Sequence, residues 1–265
     1  MRFFEGCTAL ITGASSGLGA EFALQLAPVA GTLVLVARRS DRLDALKQDL
    51  AARYPGLRVQ VYVADLTDDT CIPALVRWLE KEKIQVNFLV NNAGMGDKGP
   101  FATSEWPKVR AMLDLNIVAL TRLTHELLPM LREGGRGAIL HVSSIAGLIP
   151  LPRMAVYAAT KAYVNSFSDG LRLELRDTGI TVTAVLPGPA ETEFVRVASR
   201  ESGETGWNSP ECLTITVEEV VHAALTAVAQ DRARVIPGWK VALLMGLAVA
   251  LPLGLLRIAL QNRRD

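Results

Sequence analysis

Cys7-Thr8-Ala9-Leu10-Ile11-Thr12, running without a break into Gly13-Ala14-Ser15-Ser16-Gly17-Leu18-Gly19, is the stretch on which the reading of the fold turns. Residues 7–12 are a short apolar run of strand character, and a helical pattern over about 17–27 begins at once. Glycines answer three demands in such a corner: a permissive φ for the tight turn, room for a phosphate to approach the backbone, and close packing of helix on strand. The helix start then offers free N–H groups and the positive end of its dipole to an anion such as a pyrophosphate. Three glycines alone arise easily by chance; set between the first strand and the first helix, they predict a dinucleotide site.

Outward from this corner, apolar runs near 32–37, 57–63, 87–91, 137–143, 180–186 and, briefly, 234–236 alternate with helical patterns over about 40–53, 67–82, 104–132, 153–177 and 216–230. The runs are nearly continuous, as in strands covered on both faces. This alternation predicts right-handed crossovers and an α/β fold, a doubly wound parallel sheet of about seven strands with helices on both faces. The 265 residues suit one such domain, and with 50% apolar and 21% charged residues they can bury a large core. A net charge of +1 supplies no field for nucleic acid. Cys7, Cys71 and Cys212, like His125, His141 and His222, are too scattered for a disulfide framework or a zinc site, which points to a reducing, cytoplasmic setting. Residues 1–5 run almost directly into the first strand, leaving no room for a secretory signal peptide.

The end of the second strand selects the dinucleotide. NAD sites place an acid about 20 residues beyond the glycines to bond the ribose 2′-OH. Here that place holds Ala37-Arg38-Arg39, with no carboxylate before Asp41. Guanidinium forks attract a 2′-phosphate, so NADP(H) is expected in preference to NAD(H), with Arg38 as the contact and Arg39 turned to solvent. Asp65, followed by Leu66 after the third strand, either accepts from the adenine amino group or caps a helix starting near Thr67. Asn91-Asn92-Ala93-Gly94 ends the fourth strand with small residues that let the backbone approach a flat cofactor, while the asparagines brace neighbouring loops.

Tyr157-Ala158-Ala159-Thr160-Lys161 lies in a helical pattern, where residues four apart share a face. A phenol has a pKa near 10, and lowering it by about 3 units takes roughly 4 kcal/mol of preferential stabilisation of the phenolate. A neighbouring ammonium and the positive ring of an oxidised nicotinamide are suitable sources. Ser143-Ser144, ending the fifth strand, bring a hydroxyl beside the phenol. Two hydroxyls donating to one oxygen stabilise alkoxide character during hydride transfer.

Together these motifs resemble the short-chain dehydrogenase/reductase family in its compact single-domain branch, over roughly residues 5–238. The resemblance implies a Rossmann-like catalytic domain over 1–238, and a carbonyl–alcohol interconversion by hydride transfer with Tyr157 as acid/base. The family's Thr-Gly-x-x-x-Gly-x-Gly segment binds the cofactor. Its match in Thr12 to Gly19 puts Gly13, Ser15, Ser16, Gly17, Leu18 and Gly19 in the candidate cofactor set, beside Arg38, Asp65, Leu66, Asn92, Ala93 and Gly94. The implied catalytic residues are Asn116, within Leu-Asp-Leu-Asn-Ile-Val, Ser144, thirteen positions before the tyrosine, Tyr157 and Lys161. Asn116 is implied to support a water that passes protons towards Lys161. Tyr157, Lys161, Pro187, Gly188 and Thr192 would hold the nicotinamide end. Departures are Leu18, where isoleucine is usual, and Pro28, which should end the first helix early. The family's habit of pairing helices implies a homodimer or homotetramer through 104–132 and 153–177. The rival reading, a catalytically inactive nucleotide sensor or scaffold of the same fold, sits badly with an intact catalytic set.

Two segments stand outside the regular pattern. Residues 188–215, rich in Gly, Pro, Ser and Glu, are too long for an ordinary loop and are expected to form a substrate lid. The tail, 239–265, carries an apolar stretch over 241–260 with no charge until Arg257, a proline at 252, and Lys240, Arg263 and Arg264 at its flanks. Three readings stay open: a helix buried against the domain or a partner subunit, a membrane-surface anchor, and a marginal span. Met95, Leu148, Met154, Phe194 and Trp207 are either core residues or an apolar pocket, and an apolar tail beside the lid suits a lipophilic substrate.

Overall fold

The computed structural model describes residues 2–189, 193–198, 214–252 and 254–256. Among these, seven strands form one sheet: β1 (Thr8–Thr12), β2 (Thr32–Ala37), β3 (Arg58–Val63), β4 (Phe88–Asn91), β5 (Gly137–Val142), β6 (Ile180–Val185) and β7 (Arg234–Val235). Every pairing is parallel, in the order β3-β2-β1-β4-β5-β6-β7. The winding reverses between β1 and β4, which opens a crevice beyond the carboxyl ends of the strands.

Strand periodicity divides the core into two layers. Ala9, Ile11, Leu33 and Leu35 face α1 (Gly17–Leu26), α2 (Ser40–Arg53) and a helix over Val217–Ala229. Leu10, Val34, Val36 and Ile139 face α3 (Cys71–Lys81) and a helix over Leu120–Glu133. The edge strand β3 departs from the continuous burial expected: Arg58 and Val63 are exposed.

Two helix boundaries moved for identifiable reasons. α3 starts at Cys71, not near Thr67, because the Asp65 and Asp68 carboxylates accept the backbone N–H groups of Thr67 and Thr70 (3.0 and 2.8 Å) in successive turns. Asp65 therefore caps a turn and not the helix. The expected helix over 104–132 is α4 (Trp106–Leu113), a π-helical turn over Asp114–Ala119, and α5 (Leu120–Glu133). α1 does end before Pro28. The chain continues through α6 (Ala155–Leu175), α7 (Glu193–Ala198), α8 (Val217–Ala229) and α9 (Trp239–Ala250).

α9 buries only Val241 and Met245, against the 3-10 turn Ile145–Leu148 and Gly188. Leu243, Leu244, Leu247 and Val249 on its other sides are exposed. Its 12 residues stop ahead of Pro252, where the preceding Leu251 is extended, and no described helix is long and apolar enough to cross a membrane.

Candidate active site

The glycine corner is held from across the sheet. Thr12 Oγ1 accepts from the backbone N–H groups of Asn92 and Ala93 (3.0 and 2.9 Å), and Asn92 Nδ2 donates to the Thr12 carbonyl (2.9 Å). These bonds lock the end of β1 to the end of β4 at the winding reversal. Gly13 takes a φ of +67°, and a Cβ there would lie 2.8 Å from Asn92 Nδ2. A Cβ on Gly19 would lie 2.2 Å from the Gly13 carbonyl oxygen, so only glycine lets α1 sit on the turn. Ser16, at the N-cap, makes no side-chain cap, which leaves the first N–H groups of α1 available to an anion.

A cleft of about 570 Å³ runs along the carboxyl ends of the strands. Gly13, Ser15, Ser16, Gly17 and Leu18 form its floor, Arg38, Arg39, Asp65 and Leu66 one end, and Asn92, Ala93 and Gly94 its middle. Ser144, Tyr157, Lys161, Pro187 and Gly188 close the other end. Gly19 acts behind the turn and Asn116 beneath the cleft; neither belongs to the lining. Thr192, Trp207 and most of the expected lid lie outside the described residues.

The arginine end corrects the sequence reading. Arg39 does not turn to solvent: its guanidinium donates to Ser15 Oγ (3.0 Å) and Ser16 Oγ (2.7 Å) and pairs with Glu193 (2.9 Å). Arg38 is the more exposed of the two and lies 3.6 Å from Asp65. Arg42, which the sequence reading passed over, also pairs with Glu193 (3.0 Å).

At the other end, Tyr157 and Lys161 share one face of α6, and both are 5% exposed. Lys161 Nζ donates to the Val142 carbonyl at the end of β5 (2.9 Å) and lies 5.8 Å from the centre of the Tyr157 ring. Ser144 Oγ donates to the Pro187 carbonyl (3.4 Å), accepts from Ala146 N (3.1 Å) and sits near enough to the Tyr157 hydroxyl to lower its pKa, whereas Ser143 Oγ donates to the Lys161 carbonyl (3.0 Å) and braces α6. The two serines thus separate into one beside the phenol and one behind it. Burial pushes the Tyr157 phenol up to about 12, against the Ser144 hydrogen bond, and burial pulls the Lys161 amine down to about 8. The expected lowering of the phenol is not achieved by the protein groups alone. The phenol is held protonated, the form a proton donor needs.

Asn116 is 1% exposed, set inward by the π turn. Its Oδ1 accepts from Met95 N (2.9 Å), and its Nδ2 donates to Met95 O (2.9 Å) and Thr160 Oγ1 (3.0 Å). These three bonds fix the loop after β4 against the turn of α6 that carries Tyr157, with both Nδ2 hydrogens used. Phe194 on α7 packs over the Tyr157 ring, 5.6 Å between centres, and with Met95, Leu151 and Met154 makes an apolar wall around it. Sequence reading also missed a sealed polar chain behind Lys161: Asn91 Nδ2 to Thr124 Oγ1 (2.9 Å), Thr124 to His141 Nε2 (3.3 Å), and His141 Nδ1 to Ser168 Oγ (2.9 Å). A lone histidine in an apolar strand was the available signal.

The family model described as short chain dehydrogenase matches residues 7–203. A sulfoacetaldehyde reductase of Chromohalobacter salexigens is 42% identical over 192 residues, 71% of this chain and 74% of that protein. A short-chain dehydrogenase from Sphingobium yanoikuyae, solved in complex with NADPH, superposes with a TM-score of 0.81 at 37% identity, covering 98% of this chain and 96% of that one. The bulky-bulky ketone specific alcohol dehydrogenase of Comamonas testosteroni gives a TM-score of 0.77 at 34% identity, over 98% and 95% of the two chains.

Proposed function

The chain belongs to the short-chain dehydrogenase/reductase family and is an oxidoreductase acting on alcohol or carbonyl groups; from that premise we propose that it reduces bulky, apolar carbonyl compounds, preferring NADP(H) to NAD(H). The observation that carries this reading is the placement of a buried Tyr157–Ser144 pair at one end of a glycine-floored cleft whose other end is lined by arginines. The glycine cradle and the uncapped start of α1 fit a pyrophosphate, and Arg38 and Arg39 fit a 2′-phosphate.

When bound, the reduced cofactor supplies the hydride that the carbonyl carbon accepts. Ser144 and Tyr157 donate to the carbonyl oxygen, and Tyr157 gives up its proton as the alkoxide forms. Lys161, anchored on the end of β5, offsets the phenolate charge and helps reload its proton. Asn116 holds this geometry through Met95 and Thr160 and supports a water that passes protons towards Lys161. Residues 1–238 then act as the catalytic unit, with 188–215 as substrate lid and Thr192 at the nicotinamide end.

The apolar wall of Met95, Leu151, Met154 and Phe194 favours a lipophilic substrate. The relative named for sulfoacetaldehyde supports a second reading, a small anionic aldehyde. Initial rates with NADPH and NADH, on hydrophobic ketones and on sulfoacetaldehyde, separate the two. Higher kcat/KM for NADPH and for the ketones is expected; faster turnover with NADH, or of the sulfonate alone, overturns that part of the proposal. Tyr157→Phe should lower kcat by about 10²–10⁴-fold with NADPH affinity unchanged. Retained turnover removes Tyr157 from its role. We place the enzyme in the cytoplasm, with the exposed face of α9 covered by a second copy in a homodimer or homotetramer, or resting on a membrane surface.

A further inference from the structure

Reading along the sequence, the end of β2 carries two arginines and no carboxylate before Asp41. Folding changes that. Glu193 arrives from 154 residues away and sets its carboxylate against Arg39 (2.9 Å) and Arg42 (3.0 Å). Arg39 is at the same time bonded to the Ser15 and Ser16 hydroxyls of the glycine corner, and Arg38 faces Asp65 at 3.6 Å. Each of the three guanidinium groups at this end therefore already has a carboxylate beside it. The paired guanidiniums in turn hold the Glu193 carboxyl down to about 2, so it is ionised at every pH at which the enzyme would work.

We propose that Glu193 is a specificity-determining residue, a carboxylate supplied from the substrate side of the cleft that limits how strongly the arginine end discriminates NADPH from NADH. A cofactor carrying a 2′-phosphate must share Arg39 with this fixed negative charge, and because the pyrophosphate is common to both cofactors the extra repulsion falls on the phosphorylated one. NADH, with a neutral 2′-hydroxyl, meets only the smaller repulsion at its pyrophosphate. The acid that the end of β2 lacks is thus replaced by one from α7, and the preference for NADPH is narrower than Arg38 and Arg39 by themselves would give.

The inference rests on the arginine end being the 2′-phosphate site, and the test keeps the two apart. Dissociation constants of NADPH and NADH are measured by nucleotide fluorescence titration for the wild type, Glu193→Gln and Glu193→Ala, at low and high salt. Both substitutions should tighten NADPH by about three- to fivefold, change NADH by clearly less, and lose this effect as salt screens the charges. Equal changes for both cofactors, or none, overturn the role of Glu193. A rise confined to the substrate KM would do the same, showing a carboxylate that only anchors α7. A wild type that binds NADH more tightly overturns the NADP(H) reading instead, and leaves the Glu193 inference standing if the variants still shift towards NADPH.

Discussion

His141 sits one residue before the end of β5, sealed from water, with Thr124 and Ser168 on its two ring nitrogens. Burial, reinforced by the positive charge of Lys161, pulls it from 6.5 to about 3, so it stays neutral in the folded chain where the unfolded chain takes up a proton. Below pH 6.5 the unfolded state thus binds the extra proton, and stability falls as pH falls towards about 3. From pH 7 to 5.5, above the carboxylate range, the loss should be roughly 1 kcal/mol in urea melts. His141→Gln, which keeps a polar side chain there, should flatten that slope; equal slopes in both proteins would discard the assignment. At this scale legibility followed sequence distance. Tyr157 and Lys161 were readable because one helical turn joins them, and Arg39 was misread because its partner Glu193 comes from the far end of the chain.

Element identity was legible wherever an apolar period was long, and element ends were not, because side-chain hydrogen bonds decide them. The Asp65 and Asp68 turns displaced the start of α3, and the π turn around Asn116 left no mark in the apolar pattern of 104–132. α8 shows the opposite case. Thr216 accepts from the Glu219 N–H (3.2 Å) while Glu219 Oε2 accepts from the Thr216 N–H (3.0 Å), a reciprocal cap spelled out in Thr-Val-Glu-Glu. α8 packs on α1, the helix that carries the glycine corner, and Gln25 Nε2 donates to the Glu218 carbonyl (3.0 Å). Thr216→Ala should therefore lower stability by about 1 kcal/mol, a Tm drop of about 2–4 °C by calorimetry. An unchanged Tm would mean the cap contributes nothing in this context.

At the scale of the whole molecule, the parallel order of the sheet follows from the strand–helix alternation, since each crossover helix must cover one of its faces. What covers the molecule itself does not follow, because an apolar helix reads the same whether its outer face meets protein or lipid. α9 presents Leu243, Leu244 and Leu247 to the outside with no polar side chain between Val241 and Ala250 to soften the patch. Such a face drives association in water by removing apolar area from solvent. Because these side chains are exposed in the single chain, Leu243→Glu with Leu247→Glu should leave the fold intact, with a Tm close to wild type, while lowering the association state. Sedimentation in detergent-free buffer should show the wild type as a dimer or larger and the double variant as a smaller species. A wild type that sediments as a monomer and floats with anionic vesicles would assign the face to lipid and remove the second copy from it.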